Sequence, residues 1–336
     1  MKTAVVILNW NGRPMLERFL PSVIEHTTHE AEVIVADNGS TDDSIEFMRS
    51  HYPTVRLILL DRNYGFADGY NRAFEQIEAD YYVLLNDDVE VTPHWCDRVV
   101  EMMEKDEKIA VAQPKLLMFD QKDTFEYAGG AGGFIDKYGY PFCRGRVFST
   151  IEKDKGQYDD SCEIFWATGA ALFVRASVWK ELGGLDGSFF AHMEEIDFCW
   201  RCKNRGYKAV YCPESVVYHV GGGTLPKSSP FKTQLNFRNN LAMLYKNLPD
   251  RRLRRVLSLR FVLDWVAAFS FLLKGNVGEF KAVFAAHKEF RSWKPMLKKK
   301  RAEVNPHEVP HIMKRSLLLQ YHLMRHRTFL ELRDKF

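Results

Sequence analysis

The chain has 336 residues, of which 46% are hydrophobic and 27% charged, a composition that indicates a globular protein with a sizeable core and excludes a disordered chain. The net charge of +3 conceals an asymmetry: residues 225–336 hold 24 Lys and Arg against 8 Asp and Glu, whereas residues 1–224 hold 23 against 36. The basic C-terminal part therefore favours an anionic surface as partner, and no nucleic-acid partner is expected.

The start of the chain and its cysteines indicate the compartment. The first strand begins almost at the N-terminus, which leaves no room for a signal peptide, and the six cysteines show no regular spacing. We therefore expect a cytosolic protein in a reducing compartment. Cys199 and Cys202 have the spacing of a zinc pair, but a second pair is missing, so buried thiols are the better interpretation.

The first part of the chain alternates apolar, β-branched runs with segments of helical apolar spacing. The predicted strands are residues 3–8, 32–36, 55–60 and 81–85, and the predicted helices are residues 13–25, 41–48 and 68–78. This alternation predicts an α/β fold with a Rossmann-like, mostly parallel sheet covered by helices on both faces. In such sheets, ligands bind beyond the carboxyl ends of the strands.

The remainder of the chain is less regular at first. Glycine-rich and turn sequences predict loops at 129–133 and 138–141, and a helix at 177–182 is expected to end at Gly183. Another helix is predicted at 194–205. From Leu235 onward the pattern is almost wholly helical.

Polar residues stand where two of the early strands end. Asn86-Asp87-Asp88 would place two or three hard oxygen ligands for Mg²⁺ or Mn²⁺ at the sheet edge, where these ions complete their shell with substrate phosphates; a solvated turn is the alternative. Asp37 ends an earlier strand and suits a base N–H or a ribose hydroxyl, with helix capping as an equally good interpretation. A glycine-rich dinucleotide fingerprint and a P-loop are absent, so a dinucleotide cofactor is not expected.

Two further clusters lie later in the chain. Glu194 and Glu195 open a helix and point about 100° apart, so one can act as a general base while the other binds acceptor hydroxyls. Asp197 lies on another face and is predicted to pair with Arg201 at i+4. His219 ends a strand at 215–217, and the glycines that follow it would let backbone approach a diphosphate; a satisfied polar residue is the alternative for this histidine.

Taken together, these stretches resemble inverting glycosyltransferases of family 2, in their rhamnosyltransferase-like and galactofuranosyltransferase-like branch. The matching stretches span residues 4–224, and their order and spacing make the resemblance specific. They are residues 6–12, 37–42, 63–67, 69–73, 84–88, 166–170, 194–201 and 218–222.

The resemblance implies a GT-A fold, a divalent metal bound to the donor diphosphate and a set of site residues. The expected metal ligands are Asp88, His219 and Asn86; the expected donor-binding residues are Asn9, Asp37, Asn63, Asn71, Asn86 and Asp87. Glu195 is expected to be the catalytic base beside Glu194, and Trp166 and Glu194 are expected to contact the acceptor. Two residues depart from the family pattern, since Asn86 replaces the first Asp of the metal motif and Glu195 replaces the usual Asp of the catalytic pair.

The expected organisation is a nucleotide-sugar-binding half at 1–115, an acceptor-binding and catalytic half at 116–224, and a basic helical extension at 225–336. The longest uncharged run of the extension, residues 265–273, is too short to span a bilayer. We therefore expect an amphipathic helix at 256–273 on the inner face of the cytoplasmic membrane, with a helical lid packed on the catalytic domain as the alternative.

The expected reaction moves a sugar, with rhamnose favoured, from a dTDP- or UDP-sugar to a glycan or a lipid-linked acceptor. Two alternatives stand beside it. An inactive glycan-binding relative is one of them, because Asn86 is a neutral and weaker ligand. A sugar-nucleotide pyrophosphorylase is the other, although residues 9–12 lack the glycine-rich basic loop that this enzyme class needs.

Overall fold

The structure is a computed structural model that describes residues 2–28, 30–221 and 229–336. The strands are β1 (Thr3–Asn9), β2 (Ala31–Asp37), β3 (Arg56–Leu59), β4 (Tyr81–Asn86), β5 (Val89–Val91), β6 (Ile109–Met118), β7 (Gly133–Asp136), β8 (Pro141–Cys143), β9 (Arg146–Val147), β10 (Thr150–Ile151), β11 (Cys162–Ile164), β12 (Ala171–Arg175), β13 (Lys208–His219) and β14 (Ile312–Met313). The helices are α1 (Arg13–His26), α2 (Ser44–His51), α3 (Gly65–Phe74), α4 (Trp95–Glu104), α5 (Ala176–Leu182), α6 (Glu194–Asn204), α7 (Pro230–Asn247), α8 (Asp250–Leu273), α9 (Val277–Val304), α10 (Leu317–His322) and α11 (Phe329–Leu332).

The main sheet has the order β11-β13-β6-β12-β4-β1-β2-β3, and β5 pairs with β13. The strands β3, β2, β1 and β4 are parallel, which confirms the prediction for the first part of the chain. In the other half of the sheet, β12 runs antiparallel to β4 and β6, and β13 runs parallel to β6. The sheet is therefore mixed, and β4 and β13 place their carboxyl ends near each other through β5.

The core lies on both faces of this sheet, because alternate residues of each strand point to opposite sides. Val5 and Ile7 of β1 belong to the cluster that α1, α2 and α4 cover, whereas Ala4 and Val6 belong to the cluster that α3, α5 and α6 cover. The latter cluster continues without a break into residues of α7 and α9. The C-terminal helices thus share the core of the catalytic part.

Several boundaries differ from the predictions for physical reasons. The helix predicted at 68–78 begins at Gly65, because Gly65 adopts φ +74° and the next two amides donate to the carbonyl of Phe190. The strand predicted at 215–217 extends from Lys208 to His219 along β6. Gly183 does end α5 in a left-handed conformation, as expected.

A second, smaller sheet, β10-β9-β8-β7-β14, occupies the region predicted as loops. Its strands are two to four residues long, so their apolar patterns are too short to be recognised in the sequence. Residues near the C-terminus contribute β14, which pairs with β7.

The basic C-terminal region forms α7 and a long hairpin of α8 and α9. Within the part of the chain that the structure describes, α8 alone is long and apolar enough to cross a membrane, judged by length and composition. The expectation from uncharged runs stopped at Asp264, whereas residues 256–273 of the helix are apolar on average with two charged residues among them. These two residues, Arg260 and Asp264, are buried and paired with each other.

Candidate active site

The turn between β4 and β5 and the end of β13 bring two distant side chains together. Asp87 and Asp88 form this turn, and β5 pairs with β13 so that Val89 lies opposite His219. As a result, Asp88 Oδ1 lies 3.0 Å from His219 Nε2, and the side-chain nitrogen Nδ2 of Asn86 lies 3.3 Å from the same nitrogen. The three residues predicted to ligate the metal therefore lie together, with the NH₂ group of Asn86 towards His219. Gly222 and Gly223, predicted to approach the diphosphate, lie outside the described residues.

A buried carboxylate that the sequence analysis missed stands behind this histidine. Glu126 Oε1 lies 3.4 Å from His219 Nδ1, and its other oxygen accepts from the amide of Ala128 at 2.6 Å. Glu126 follows β6 in a segment whose sequence gives no signal beyond an isolated acidic residue. A carboxylate in this position fixes the ring and leaves Nε2 directed at Asp88 and Asn86.

The charges of this cluster perturb one another strongly. Burial would lower the pKa of His219, but hydrogen bonds and charges from Asp88 and Glu126 outweigh it and raise the pKa to about 10. Burial would raise the pKa of Asp88, yet the bond to His219 holds it below its ordinary value. Burial, and then the Asp88 charge, raises the pKa of Asp87 to about 7.

These residues fit a divalent cation that also binds a substrate. Asp88 Oδ1 and His219 Nε2 lie at hydrogen-bond distance, 3.0 Å, and a cation bound to both would take the place of the proton between them. Carboxylate and imidazole together suit Mn²⁺. Within the described residues, no group of three or more His, Cys, Asp or Glu side chains is arranged to hold a metal. The remaining ligands would therefore come from the donor diphosphate, the Asn86 amide or water.

The predicted donor-binding residues near β1 form a second polar cluster. Asn9 and Asp37 end neighbouring strands, and Asn9 Nδ2 donates to Asp37 Oδ2 at 2.9 Å. The other oxygen of Asp37 accepts from Ser40 N, so this carboxylate also holds its own turn. Gly12 is required here, because a Cβ would lie 2.2 Å from Asp87 Oδ2 and 2.6 Å from Asn9 Oδ1. Asn9 Oδ1 is buried without a partner among the described residues, as a ligand-binding atom would be.

Asn63 lies next to this cluster through a residue that the sequence analysis did not single out. Asn38 Nδ2 donates to Asn63 Oδ1 at 3.2 Å and to the carbonyl of Gly65 at 3.0 Å, and Asn38 Oδ1 accepts from Tyr64 N. Asn38 is buried and so fixes the loop that carries Asn63. Donor contact by Asn63 stays a prediction.

Two predicted site residues have other tasks in the structure. Asn71 exchanges hydrogen bonds with the backbone of Leu185, accepting from its amide and donating to its carbonyl at 2.9 Å each. Trp166 is 3% exposed, donates from Nε1 to the carbonyl of Phe134, and covers Gly133 with its ring. In this structure Trp166 is therefore a core residue, and its contact with an acceptor stays a prediction.

The predicted catalytic pair opens α6. Glu194 is buried and Glu195 half-buried, and in each an Oε2 atom is buried without a partner among the described residues. Burial raises the pKa of Glu195 to about 7, and burial together with the Glu195 charge raises the pKa of Glu194 well above its usual range. A carboxylate with a pKa near neutrality is suited to remove a proton from a hydroxyl.

Burial raises the pKa of the Cys143 thiol to about 11, the charge of Arg146 opposes this, and the charges of Glu126 and Glu195 add to it. Asp197 pairs with Arg201 at 2.9 Å, as predicted, and Cys199 and Cys202 are buried thiols.

The fold and this site define a glycosyltransferase of the GT-A class. The family model described as Glycosyl transferase family 2 matches residues 4–167, so this part of the chain is a domain of that family. The chain is similar to the N-acetylglucosaminyl-diphospho-decaprenol L-rhamnosyltransferase of Mycobacterium tuberculosis, with 27% identity over 64% of this chain and 75% of the relative.

Solved structures share the fold. GalNAc-T7, solved with UDP, GalNAc and Mn²⁺, has a TM-score of 0.61 and 17% identity over 97% of this chain, which spans 57% of that longer one. The mannosyltransferase PcManGT of Pyrobaculum calidifontis, solved with GDP-Man and Mn²⁺, has a TM-score of 0.53 and 14% identity over 90% of this chain and 86% of that one. Divalent metal is thus present in structures of this fold.

Proposed function

We propose that the protein is a metal-dependent, inverting glycosyltransferase that uses a nucleotide diphosphate sugar and acts on a glycan or lipid-linked acceptor. The observation that carries this proposal is the convergence of Asp88 and His219 at the sheet edge. The Glu194–Glu195 pair supports it, because burial raises the pKa of both carboxyls. The first cluster suits a cation and a diphosphate, the second suits proton removal, and together they serve the transfer of a glycosyl group.

The residues divide the reaction between them. Glu195 accepts the proton of the acceptor hydroxyl while the hydroxyl oxygen bonds to the anomeric carbon from the face opposite the diphosphate. The bond from that carbon to the diphosphate oxygen breaks, and the nucleoside diphosphate leaves. Asp88, His219 and Asn86 would hold the cation, whose chemistry is to neutralise the charge of this leaving group.

The nucleotide and the sugar follow from the relatives as proposals. The Mycobacterium tuberculosis rhamnosyltransferase, whose name gives N-acetylglucosaminyl-diphospho-decaprenol as its acceptor, is similar to this chain over 75% of its own length. This similarity favours dTDP-rhamnose as the donor and a lipid-linked glycan as the acceptor. GalNAc-T7 was solved with UDP, so UDP-sugars are the second choice. Asn9, with its free buried Oδ1, and Asn63 are proposed to contact the donor.

We also propose that the enzyme works on the inner face of the cytoplasmic membrane through the α8–α9 hairpin. Its outer face carries large apolar side chains that are at least 40% exposed: Phe261, Val262, Val266, Phe269, Leu272, Leu273, Val277 and Phe284. Towards the other end of the hairpin, exposed basic residues follow: Arg254, Arg255, Lys288, Arg291, Lys298 and Lys299. A hairpin with exposed apolar residues at its tip and exposed basic residues behind them is suited to insert its tip into a membrane with anionic headgroups.

A screen of nucleotide sugars with Mn²⁺ tests the proposal directly. The enzyme is expected to melt at a higher temperature with its donor and Mn²⁺ together, because a ligand that binds the native state stabilises it. It should then release nucleoside diphosphate when an acceptor is added. A donor that stabilises the protein but is never cleaved would instead favour the inactive relative. Formation of nucleotide sugar from a sugar phosphate and a nucleoside triphosphate would favour the pyrophosphorylase.

A further inference from the structure

The loop in front of the catalytic helix has an unusual backbone. Phe190, His192 and Met193 have φ values of +66°, +71° and +72°, and these residues come directly before Glu194. Residues with a Cβ rarely adopt such angles, and they persist where surrounding groups enforce them. Among the described residues, no side chain caps the start of α6 either. The position of Glu195 therefore depends on the groups that hold the loop of residues 190–193 in this conformation.

One buried side chain on α7 holds it. Asn239 Nδ2 lies within hydrogen-bond distance of three loop carbonyls, those of Phe189 at 2.9 Å, Ala191 at 2.9 Å and His192 at 2.8 Å. Asn239 is completely buried. Its Oδ1 accepts from Arg238 Nε at 2.9 Å, which turns the NH₂ group towards the loop.

The neighbouring residues complete the arrangement. Arg238 Nη2 donates to the carbonyl of Phe189 at 3.1 Å, and its Nη1 lies 3.2 Å from Glu289 Oε1 on α9. The carbonyl of Phe190 points the other way and accepts from Phe66 N at 2.8 Å and Ala67 N at 3.1 Å, at the start of α3. The loop is thus held between α7 on one side and the donor-side helix α3 on the other.

We propose that Asn239 is a positioning residue that locks the 190–193 loop and so aims Glu195 at the acceptor hydroxyl. This inference rests on the proposed function, because it assumes that Glu195 is the base. It gives one residue of the basic C-terminal region a part in positioning the catalytic base. Nothing in the family motifs of residues 4–224 points to it.

The test compares Asn239→Ala and Asn239→Ser with Asn247→Ala. Asn247 is a matched control, because it is equally buried on α7 but donates to Asp197 Oδ1 rather than to the loop. With Asn239→Ala, kcat should fall about 100-fold, the scale of a misplaced base, while donor affinity with Mn²⁺ stays within about threefold. Asn239→Ser keeps one donor and should recover part of kcat.

The pH profile separates positioning from general damage. In the wild type, the acid limb of kcat should lie near pH 7, because burial raises the pKa of Glu195, with Glu194, Cys143 and Cys199 as its titratable neighbours. A released loop admits water to Glu195, so the limb of Asn239→Ala should move down towards 4.5. Asn247→Ala should lower the melting temperature and leave the limb in place.

Three results would overturn the inference. The first is a kcat within threefold of wild type in a folded Asn239→Ala. The second is a loss of kcat matched by equal loss of donor affinity, with an unmoved pH limb. If Asn239→Ala does not fold, Arg238→Gln is measured in its place with the same readouts. The third overturning result is an Arg238→Gln variant whose kcat and acid limb of the pH profile are both unchanged. If the wild type transfers no sugar, or Glu195→Gln transfers normally, the proposed function fails instead.

Discussion

The side chains of the catalytic pair show how one short segment yields a base near neutrality. Glu194 and Glu195 stand side by side at the start of α6, where the helix dipole favours negative charge. Burial outweighs this effect and raises both pKa values, and the charge of Glu195 raises that of Glu194 further. The acidic pair, unremarkable as a helix start in the sequence, becomes a proton acceptor only through its burial.

Glu195→Gln is expected to lower kcat by at least about 100-fold, because it removes the proton acceptor and keeps the shape of the side chain. Donor affinity with Mn²⁺, measured by calorimetry, should change little. Glu194→Gln is the matched control and should act mainly on the KM of the acceptor. A parallel collapse of donor affinity in Glu195→Gln would contradict the assignment.

The pH dependence of the wild type follows from the same residue. Transfer should rise as pH increases through about 7, the raised pKa of Glu195. Stability should move the opposite way: the folded state holds this proton between pH 4.5 and 7 and the unfolded state does not, so this contribution is present below pH 4.5 and lost as pH rises through about 7.

Asp88→Ala should remove most of the metal-dependent donor binding, because it deletes the charged ligand of the cluster and leaves His219 alone with the Asn86 amide. We expect the gain in donor affinity on adding Mn²⁺ to fall at least about 10-fold by calorimetry. Asp120→Ala, an exposed carboxylate outside the site, is the control. Full Mn²⁺ dependence in the Asp88 variant would rule out this ligand role.

At the residue scale, the proximity of residues in the family motifs could be predicted from the sequence, whereas the residues that hold them in place could not. Asp88 and His219 were paired by resemblance, and the structure brings them within 3.0 Å. Glu126 and Asn239 could not be predicted, since their roles depend on contacts between distant segments. The burial of Trp166 could not be predicted either, because an aromatic residue in a family motif does not reveal whether its ring faces the core or a ligand.

At the scale of elements, the α8–α9 hairpin reverses the usual arrangement of polar and apolar residues. Arg260 and Asp264 are buried, and Asp264 also lies 3.1 Å from His287 of α9. Val266 and Phe269 of the same helix are more than half exposed. The sequence showed the apolar run and its charged interruptions. It could not show that the charges face inward, because that depends on the partner helix.

Replacing Phe269 and Leu273 by Ser should weaken binding to anionic vesicles at least about 10-fold, because burial of each side chain is worth about 1.5–3 kcal/mol. Co-sedimentation measures this at low and high salt. The double variant Arg254→Gln and Arg255→Gln should instead remove the part of vesicle binding that is lost at high salt. Leu59→Ser, an exposed apolar residue on β3, is the control. Equal sedimentation of all variants would contradict insertion by the hairpin tip.

At the scale of the whole molecule, the parallel part of the sheet was predictable and the C-terminal packing was not. Strands β1, β2 and β4 are six or seven residues long, rich in apolar residues and separated by helices, which are local signals. The second sheet and the docking of α7 come from contacts between residues far apart in sequence. β14, for instance, pairs with β7 across most of the chain.

The C-terminal helices complete the catalytic core, so removing them should unfold the protein rather than merely release it from a membrane. Lys246 of α7 lies 2.6 Å from Asp186 and 2.8 Å from Asp197, and all three are buried. Losing such a partner from a buried charge costs about 3–5 kcal/mol, a large share of the stability of a typical domain. The same cut exposes the part of the core that Leu241 and Leu244 cover.

A chain of residues 1–229 is therefore expected to be insoluble or to lack a cooperative melting transition by circular dichroism. The control replaces only the outer hairpin, residues 266–283, by a short glycine-serine turn. This change leaves α7 in place and keeps Lys246 paired with Asp186 and Asp197. That variant should melt cooperatively, bind donor with Mn²⁺ as the full chain does, and fail to sediment with vesicles. A soluble 1–229 chain with wild-type donor affinity would show instead that the fold is complete without α7.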